Sequence, residues 1–266
     1  MKAIILAAGQ GTRLKHLTEN KPKCMVELFE KPLINYLLDV LKSSKVKEIA
    51  IVGGYKNEVL FDYLKDEKLR FFMNQEYAVT NMVYTLFEAK SFFDDDLIIT
   101  YSDIIYTKDV LTKLIASNAD ISVVVDKRWE KLWELRMEDP LKDAETMKIN
   151  AEHNILELGK KPENMNDIQG QYIGLIKISK NILNKVVSYY DNLDRDQIYD
   201  GKNFNNMFMT SFINLIINQL TSVKAVYINN EWLEVDSLED IACYRKNKEY
   251  LINELNLRIV NSEGAL

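Results

Sequence analysis

Glycine, cysteine and histidine are scarce in this sequence, and the shortage of each narrows the kind of site the protein can contain. The 266 residues include 9 glycines, 4 prolines, 2 cysteines and 2 histidines. Cys24 and Cys243 lie far apart and match no metal-binding spacing, so we interpret them as small apolar residues and expect no disulfide. We interpret His16 and His153 as surface residues rather than as acid–base catalysts.

The chain also lacks an excess of positive charge and any long apolar run. Its formal net charge is −6, whereas nucleic acids and anionic membranes usually bind a basic surface. No apolar run reaches the length of a transmembrane helix, and the opening stretch Met1–Ala8 is too short for a signal peptide. We therefore expect a cytoplasmic protein that binds a small anionic ligand, and neither nucleic acid nor a membrane. The pattern leaves the oligomeric state open.

Strand and helix patterns alternate along much of the chain. They predict strands over Lys2–Leu6, Glu48–Val52, Arg70–Met73, Leu97–Tyr101, Ile121–Asp126, Tyr172–Ile178 and Lys224–Ile228, and helices over Pro32–Lys42, Asn57–Lys65, Asn81–Phe92, Lys108–Ser117, Lys180–Tyr190 and Asn206–Gln219, with a closing helix from Leu238. Strands that alternate with amphipathic helices form βαβ units around a mostly parallel sheet. We therefore predict a single α/β domain over residues 1–266, with a Rossmann-like, mostly parallel central sheet flanked by helices.

One segment departs from the alternation. Arg128–Gly170 is rich in tryptophan and charge, and we interpret it as an insertion that lies over the sheet and forms an acceptor pocket. In open sheets of this kind the ligand binds at the carboxyl ends of the strands. We therefore expect the loops after Leu6, Val52 and Tyr101 to converge on one site.

A phosphate-binding loop is the strongest local signal. The segment Leu6–Leu14 follows the first predicted strand with the sequence Leu-Ala-Ala-Gly-Gln-Gly-Thr-Arg-Leu, and Lys-Pro-Lys follows at positions 21–23. Its glycines leave backbone N–H groups free to face phosphate oxygens, while Arg13 and Lys23 supply positive charge. A third glycine of the dinucleotide fingerprint and the Gly-Lys-Ser/Thr of a Walker loop are both absent.

Two acidic clusters that are distant in sequence are candidates for a metal site. Asp103 follows an apolar strand, and Glu234 and Asp236 point to one face if their segment is extended. Mg²⁺ takes carboxylate and phosphate oxygens as ligands, so we predict that these three residues hold Mg²⁺. The alternative is a strand-end aspartate and a helix N-cap at Asp236.

These motifs resemble the signature of the nucleotidyltransferase superfamily that activates sugar phosphates and choline phosphate, and the resemblance extends to about Tyr244. It implies the nucleotide-diphospho-sugar transferase fold, a loop that binds the NTP triphosphate, stabilisation of the α-phosphate by Lys23, and a metal site in Asp103 and the Trp-x-Glu-x-Asp motif at 232–236. The Thr-Asn-Met-Val-Tyr string at 80–84 resembles the branch that uses CTP. The expected nucleotide-binding residues are Leu6, Ala7, Ala8, Gly9, Gly11, Thr12, Gly53, Tyr55, Thr80, Asn81 and Ser102.

The acceptor side resembles bacterial small-molecule cytidylyltransferases. Sugar-phosphate members carry Glu-Lys-Pro where this chain has Lys160, Lys161 and a proline, which favours a compact anionic acceptor whose phosphate meets one of the two lysines. The expected acceptor-binding residues are Trp129, Trp133, Arg136, Asp143, Glu145, Tyr172 and Ser211. The tryptophans and carboxylates suit an ammonium group, and Arg136 suits a carboxylate. The alternative for Trp129 and Trp133, which share a helical face, is a place in the core.

We therefore predict a Mg²⁺-dependent enzyme that transfers CMP from CTP to a small phosphate or phosphonate and releases pyrophosphate. The resemblance favours glutamine phosphate as the acceptor, in the modification of a capsule or another cell-surface polysaccharide. The alternatives are transfer to phosphocholine or 2-aminoethylphosphonate, transfer of a nucleotide to a sugar 1-phosphate, and a non-catalytic regulatory protein that binds a nucleotide.

Overall fold

Seven strands form the central sheet in the computed structural model, which describes residues 1–257. The strands of the chain are β1 Lys2–Ala7, β2 Glu27–Leu28, β3 Lys31–Pro32, β4 Glu48–Gly53, β5 Leu69–Met73, β6 Leu97–Tyr101, β7 Ile104–Tyr106, β8 Ile121–Asp126, β9 Met147–Ile149, β10 Ile155–Leu158, β11 Gln171–Ile178, β12 Ile198–Tyr199, β13 Lys202–Asn203, β14 Lys224–Ile228 and β15 Trp232–Glu234. The order in the central sheet is β14-β8-β11-β6-β1-β4-β5. Every pair in it is parallel except the two that β11 makes with β6 and β8.

Helices cover both faces of this sheet. They are α1 Leu33–Lys42, α2 Asn57–Tyr63, α3 Met82–Glu88, α4 Lys108–Ile115, α5 Glu130–Arg136, α6 Lys180–Asp191, α7 Met209–Gln219, α8 Leu238–Lys246 and α9 Lys248–Asn253. Alternate side chains of β1 point to opposite faces, so Ile5 joins one apolar core and Ile4 the other. The central strands are therefore buried on both sides, as their nearly continuous apolar sequences require.

The predicted strands of the central sheet are all present, with ends that differ by one residue at most. The helix predicted over Asn81–Phe92 is shorter, because α3 ends at Glu88 and a 3₁₀ turn follows over Lys90–Phe92. The N–H groups of Ala89 and Phe92 donate to carbonyls three residues earlier, which tightens the chain there and buries Phe92. The mostly parallel order places the carboxyl ends of β1, β4, β6 and β8 along one edge.

The segment between β8 and β11 packs against the chain's later helices. Helix α5 lies against α8, and the hairpin of β9 and β10 packs on α7. Within the part of the chain that the structure describes, no helix has both the length and the apolar character needed to cross a lipid bilayer.

Candidate active site

The site lies at the edge of the sheet where β1 and β6 end. The phosphate loop leaves β1 after Ala7, and Ser102 and Asp103 follow β6. Strand β11 runs in the opposite direction, so its first residues, Gln171 and Tyr172, lie at this same edge. The antiparallel direction of β11 thus adds its amino end to a site that otherwise consists of carboxyl ends.

A first cavity of about 170 Å³ opens beside the phosphate loop. Its lining contains the predicted residues Leu6, Ala8, Gly9, Lys23, Thr80, Asn81, Ser102 and Asp103, together with Tyr77, Met82, Thr85 and Tyr101. The Asn81 side-chain oxygen accepts a hydrogen bond from the Met82 N–H, so the residue opens α3 as well as lining the cavity. Small residues on one wall and an amide on the other form a slot of the kind that a flat base requires.

A second cavity of about 240 Å³ lies next to the first, and Met82 and Tyr101 line both. Among the predicted acceptor-binding residues, Trp133, Asp143, Glu145 and Tyr172 are in its lining. Glu145 is solvent-accessible within the cavity but largely surrounded by protein. Desolvation, and then repulsion from Asp143, raise its pKa to about 7.

The three predicted metal ligands lie between the two cavities. Asp103 lines the first, whereas Glu234 and Asp236 line the second, and one oxygen of each carboxylate lies within 4.8 Å of the other two. Strand pairing explains the meeting, because β15 runs antiparallel to β7 with Glu234 opposite Ile104. The Val235 N–H then donates to the Asp103 carbonyl at 2.9 Å.

Positively charged side chains contact the carboxylates of this cluster and offset their negative charge. The Lys23 ammonium donates to Asp103 Oδ2 at 2.6 Å and also to Asp236, and Arg13 Nη2 lies 3.0 Å from Asp236 Oδ2. Burial acts to raise the pKa of Asp236, but its attraction to Lys23 and Arg13 outweighs burial and lowers it. The pKa of Glu234 is instead raised, first by burial and then by the neighbouring Asp236. Asp236 therefore remains ionised, and the positive charges of Lys23 and Arg13 offset its charge between the cavities.

The cluster suits a divalent cation with a preference for oxygen. Three carboxylates form a donor set typical of Mg²⁺, Mn²⁺ or Ca²⁺. Asp103 Oδ1 is buried and, within residues 1–257, accepts no hydrogen bond. A buried carboxylate oxygen without a partner is costly, and a cation ligand would satisfy it. These residues therefore fit the predicted metal. The alternative of a cap at Asp236 does not hold, because Ser237 caps α8.

Arg136 and Trp129 are both buried away from the second cavity's lining. The Arg136 side chain is only 3% exposed and pairs with Glu234 and Asp240 rather than facing that cavity. Trp129, 2% exposed, packs edge-to-face on Trp133 with ring centroids 5.7 Å apart. The tryptophan pair therefore combines both alternatives, since Trp129 belongs to the core and Trp133 forms part of the cavity wall.

Other predicted residues lie outside both cavities. Lys160 Nζ donates to Glu157 at 2.6 Å, and Lys160 shares a separate surface cavity with Ser211. Lys161 is exposed. The lining of the first cavity does not include Ala7, Gly11, Thr12, Gly53 or Tyr55. The Tyr55 ring meets the lining residue Tyr77 edge-on. The predicted contact of either lysine with the acceptor phosphate remains a prediction.

Several residues that line the two cavities are not among the predicted site residues. Tyr77, Thr85 and Tyr101 line the first cavity, and Gln171, Phe208 and Thr210 line the second. Tyr101 is the last residue of β6 and Gln171 the first of β11, so the rule that ligands bind at strand ends could have indicated both. No sequence signal marks Tyr77, which lies in a turn.

Comparisons with known proteins show what this chain is similar to. Residues 3–155 match the family described as the MobA-like NTP transferase domain. The chain is 48% identical over 248 residues to CTP:phosphoglutamine cytidylyltransferase of Campylobacter jejuni, covering 91% of this chain and 98% of that protein. It is 29% identical over 255 residues to choline-phosphate cytidylyltransferase of Streptococcus pneumoniae, covering 96% of this chain and all of that protein.

A solved structure extends the likeness to the fold. The structure of CTP:phosphocholine cytidylyltransferase from Streptococcus pneumoniae superposes with a TM-score of 0.69 at 26% identity, covering 94% of this chain and 98% of that one. The predicted fold class and the predicted resemblance to small-molecule cytidylyltransferases are thus confirmed.

Proposed function

The chain belongs to the MobA-like NTP transferase family, and we propose that it is a cytidylyltransferase that transfers CMP from CTP to phosphoglutamine and releases pyrophosphate. The observation that carries this proposal is the position of the acidic cluster. It lies between a cavity that opens beside the phosphate loop and a second cavity that adjoins it. The 48% identity to the Campylobacter jejuni enzyme supports the choice of CTP and of phosphoglutamine.

The reaction joins the contents of the two cavities. An oxygen of the acceptor phosphate attacks the α-phosphorus of CTP, the bond from that phosphorus to the β-phosphate oxygen breaks, and pyrophosphate leaves with the electron pair. The attacking oxygen is already an anion, so the reaction needs no general base. Catalysis then consists of alignment and of neutralising the charge on the transferred phosphoryl group.

Lys23 is the residue that we assign to the α-phosphate. Its ammonium lies in the lining of the nucleotide cavity and within hydrogen-bond distance of Asp103. Burial acts to lower the pKa of Lys23, yet Asp103 and Asp236 outweigh that effect and raise it, so the group stays positively charged. Arg13 lines the second cavity and can reach phosphate oxygens from that side.

A Mg²⁺ ion held by Asp103, Glu234 and Asp236 would neutralise negative charge on the phosphates when bound. The three carboxylates approach from two different segments, which are joined by the pairing of β7 with β15. Their oxygens lie together where the two cavities adjoin, and this is where we expect the charge to develop.

The second cavity favours an acceptor that carries an ammonium group. Asp143 and Glu145 form its negative side, and Trp133, Tyr172 and Phe208 supply aromatic walls. Phosphoglutamine offers a phosphate for the attack and an α-ammonium group for these carboxylates. The cavity's carboxylates would repel a purely anionic acceptor, which is consistent with an amino acid derivative.

The test is a substrate panel with the purified protein and Mg²⁺. Each of CTP, UTP, dTTP and GTP is combined with phosphoglutamine, phosphocholine, 2-aminoethylphosphonate or glucose 1-phosphate, and pyrophosphate release is measured. We expect the highest kcat/KM with CTP and phosphoglutamine. Higher kcat/KM with glucose 1-phosphate and dTTP would contradict the proposal, and CTP binding without turnover on any acceptor would indicate a regulatory protein.

A matched pair of lysine variants assigns the activity to this site. Lys23→Met removes the charge beside the α-phosphate and should lower kcat by about 10²–10³-fold, the usual loss of one preorganised donor. Lys65, which lines neither cavity and lies 3.0 Å from the exposed Asp62, serves as the control. Lys65→Met should stay close to wild type, because a surface ion pair contributes little.

A further inference from the structure

The carboxylates of Glu234 and Asp236 have a partner that belongs to neither cavity. The guanidinium of Arg136, at the end of α5, donates from Nη1 to Glu234 Oε2 at 2.9 Å. Its Nη2 lies 3.8 Å from Asp236 Oδ2. One arginine thus contacts two of the three predicted metal ligands, and it does so from the insertion rather than from the sheet.

Asp240 fixes the other side of this guanidinium. Arg136 Nε donates to Asp240 Oδ1 at 2.9 Å and Nη2 donates to Oδ2 at 3.4 Å, which gives a two-point contact. Asp240 Oδ2 also accepts hydrogen bonds from the backbone N–H groups of Asp236 and Ser237, at 2.9 and 3.0 Å. The same carboxylate therefore holds both the arginine and the backbone of a metal ligand.

Burial makes this arrangement rigid. The Arg136 side chain is 3% exposed and that of Asp240 is 7% exposed. The guanidinium also lies over the Trp133 ring, 5.4 Å from its centroid, and the Tyr244 hydroxyl donates to the Glu234 carbonyl at 2.8 Å. A buried guanidinium is planar and its five donors have fixed directions, so it holds two carboxylates in one geometry, whereas a lysine ammonium is a point charge on a flexible stem.

We infer that Arg136, paired with Asp240, is a positioning residue that holds the Glu234 and Asp236 carboxylates in place for the metal. It contacts Glu234 through Oε2, which leaves the second oxygen of that carboxylate for another ligand. The alternative from the sequence was that Arg136 binds a carboxylate of the acceptor. The three acidic partners of Arg136 occupy its donors, and its burial keeps the guanidinium away from the second cavity, so it is not available to bind an acceptor carboxylate.

The inference rests on the proposed function, because that function gives the metal its role in the reaction. Metal binding itself can nevertheless be measured without turnover. Groups that orient metal ligands typically change metal affinity by about 10–100-fold when removed. Mn²⁺ accepts the same oxygen ligands as Mg²⁺, and its binding to the protein alone can be followed by the loss of the free-ion electron paramagnetic resonance signal.

The main comparison is Arg136→Met against Lys131→Met. Lys131 lies on the same helix and pairs with Glu254 at 3.2 Å, so its variant also loses an ion pair of α5 but leaves the acidic cluster intact. We expect Arg136→Met to raise the Mn²⁺ dissociation constant by about 10-fold or more. Lys131→Met should match wild type. The Mg²⁺ concentration for half-maximal turnover should rise with Arg136→Met, whereas the KM for the acceptor at saturating Mg²⁺ should not.

A second pair of variants tests whether Arg136 and Asp240 act as a unit. Asp240→Asn should raise the Mn²⁺ dissociation constant as well, and the double variant should be little worse than Arg136→Met alone, since both changes remove one network. Arg136→Lys keeps the charge but not the fork, so we expect an intermediate affinity. This variant carries the same test if Arg136→Met does not fold, as judged by circular dichroism.

Three results would overturn the inference. The first is an unchanged Mn²⁺ dissociation constant in Arg136→Met, or in Arg136→Lys if that variant has to replace it. The second is an Arg136→Met variant whose main defect is a raised KM for the acceptor, and the third is a wild-type protein that does not bind Mn²⁺. Absence of CMP transfer by the wild-type protein, in contrast, would refute the proposed function and leave the Mn²⁺ comparison standing.

Discussion

The two cavities on either side of the acidic cluster are built in different ways. Much of the first cavity, which we assign to the nucleotide and call the nucleotide cavity, comes from β1, from the loop that follows it and from the end of β6. Strands β1 and β6 are adjacent in the sheet. The second cavity, which we assign to the acceptor and call the acceptor cavity, contains residues from the insertion, the start of β11, the start of α7 and the segment after β14. The first is lined mainly by small and uncharged polar side chains, with one lysine, one carboxylate and two tyrosines, whereas five aromatic rings and four carboxylates line the second.

This difference indicates that enzymes of one fold can share the nucleotide cavity, whereas the acceptor cavity is specific to each enzyme. A triphosphate is recognised through backbone N–H groups and charge, which a short motif can supply. A small acceptor is recognised by the shape and charge of side chains, which several distant segments must bring together. Changes on the nucleotide side should therefore affect turnover, and changes on the acceptor side should affect the choice of acceptor and its KM.

The largest effect is expected where the two sides meet. Asp103→Asn removes a charged metal ligand and a partner of Lys23, so we expect turnover to fall by about 10³-fold or more, since the metal's charge stabilisation is worth several kcal/mol. Pyrophosphate release measures it. Asp109→Asn, an exposed change in the first turn of α4, is the control and should leave turnover intact. Near-wild-type turnover in Asp103→Asn would refute the metal assignment.

Gly11→Ala should damage the nucleotide side through its neighbour. Gly11 has φ of +71°, and an added Cβ would lie 2.9 Å from Lys23 Cβ and Cγ, so Lys23 must move. Displacing a catalytic group by about 1 Å can lower turnover by up to about 10²-fold, and we expect a loss between 10- and 100-fold.

Gly201→Ala is its matched control. Gly201 has a similar φ of +77° with no atom within 4 Å of an added Cβ, so its variant carries the backbone strain, about 1–2 kcal/mol, without the clash. Equal losses of turnover in the two variants would mean that strain, and not Lys23, is responsible.

Glu145→Gln should act on the acceptor side and depend on pH. Because its pKa is raised to about 7, Glu145 is mostly neutral at pH 6 and mostly charged at pH 8, so its attraction for an ammonium group grows over that range. The variant should raise the KM for phosphoglutamine about tenfold at pH 8, the loss of one charged hydrogen bond, and much less at pH 6.

The comparison must be made between two pH profiles, because an acceptor phosphate itself titrates near pH 6. Glu138→Gln, an exposed change in the insertion, is the control and should follow wild type. If the KM for phosphoglutamine depends on pH in the same way in Glu145→Gln as in wild type, this carboxylate does not bind the acceptor.

The smallest effect on activity is expected for Trp129→Phe. Trp129 is buried behind Trp133, so its variant should lower the free energy of unfolding by about 1–3 kcal/mol and leave the KM for the acceptor unchanged. Trp133→Phe alters the cavity wall and should raise that KM. Urea denaturation and steady-state kinetics measure the two properties. A raised KM in Trp129→Phe alone would contradict the division of the pair.

The nucleotide side was largely predictable, because its signals are local. A buried strand, two glycines and the charges at Arg13 and Lys23 lie within the first 23 residues. The meeting of Asp103 with the pair at 234 and 236 followed from the rule that strand ends share an edge. The pairing of β15 with β7, which brings Glu234 opposite Ile104, has no local signal of its own.

The acceptor side was predictable in residue type but less in orientation. Thr210 lines the cavity and Ser211 does not, although both open α7, because consecutive residues on a helix point about 100° apart. Arg136 was identified as a functional candidate, yet its partners became evident only from the packing of α5 against α8.

By itself the sequence determined the class of fold, the phosphate loop and the residues that form the acidic cluster, because each depends on periodicity or on short spacing along the chain. The tertiary structure decided which side chains line the second cavity and which contact the carboxylates of the acidic cluster from behind. That choice depends on the rotation of α5 and α7 about their axes, which their buried contacts with α8 and with β10 stabilise. Such contacts join residues about 100 positions apart, as Arg136 and Asp240 are, and no short pattern along the chain encodes them.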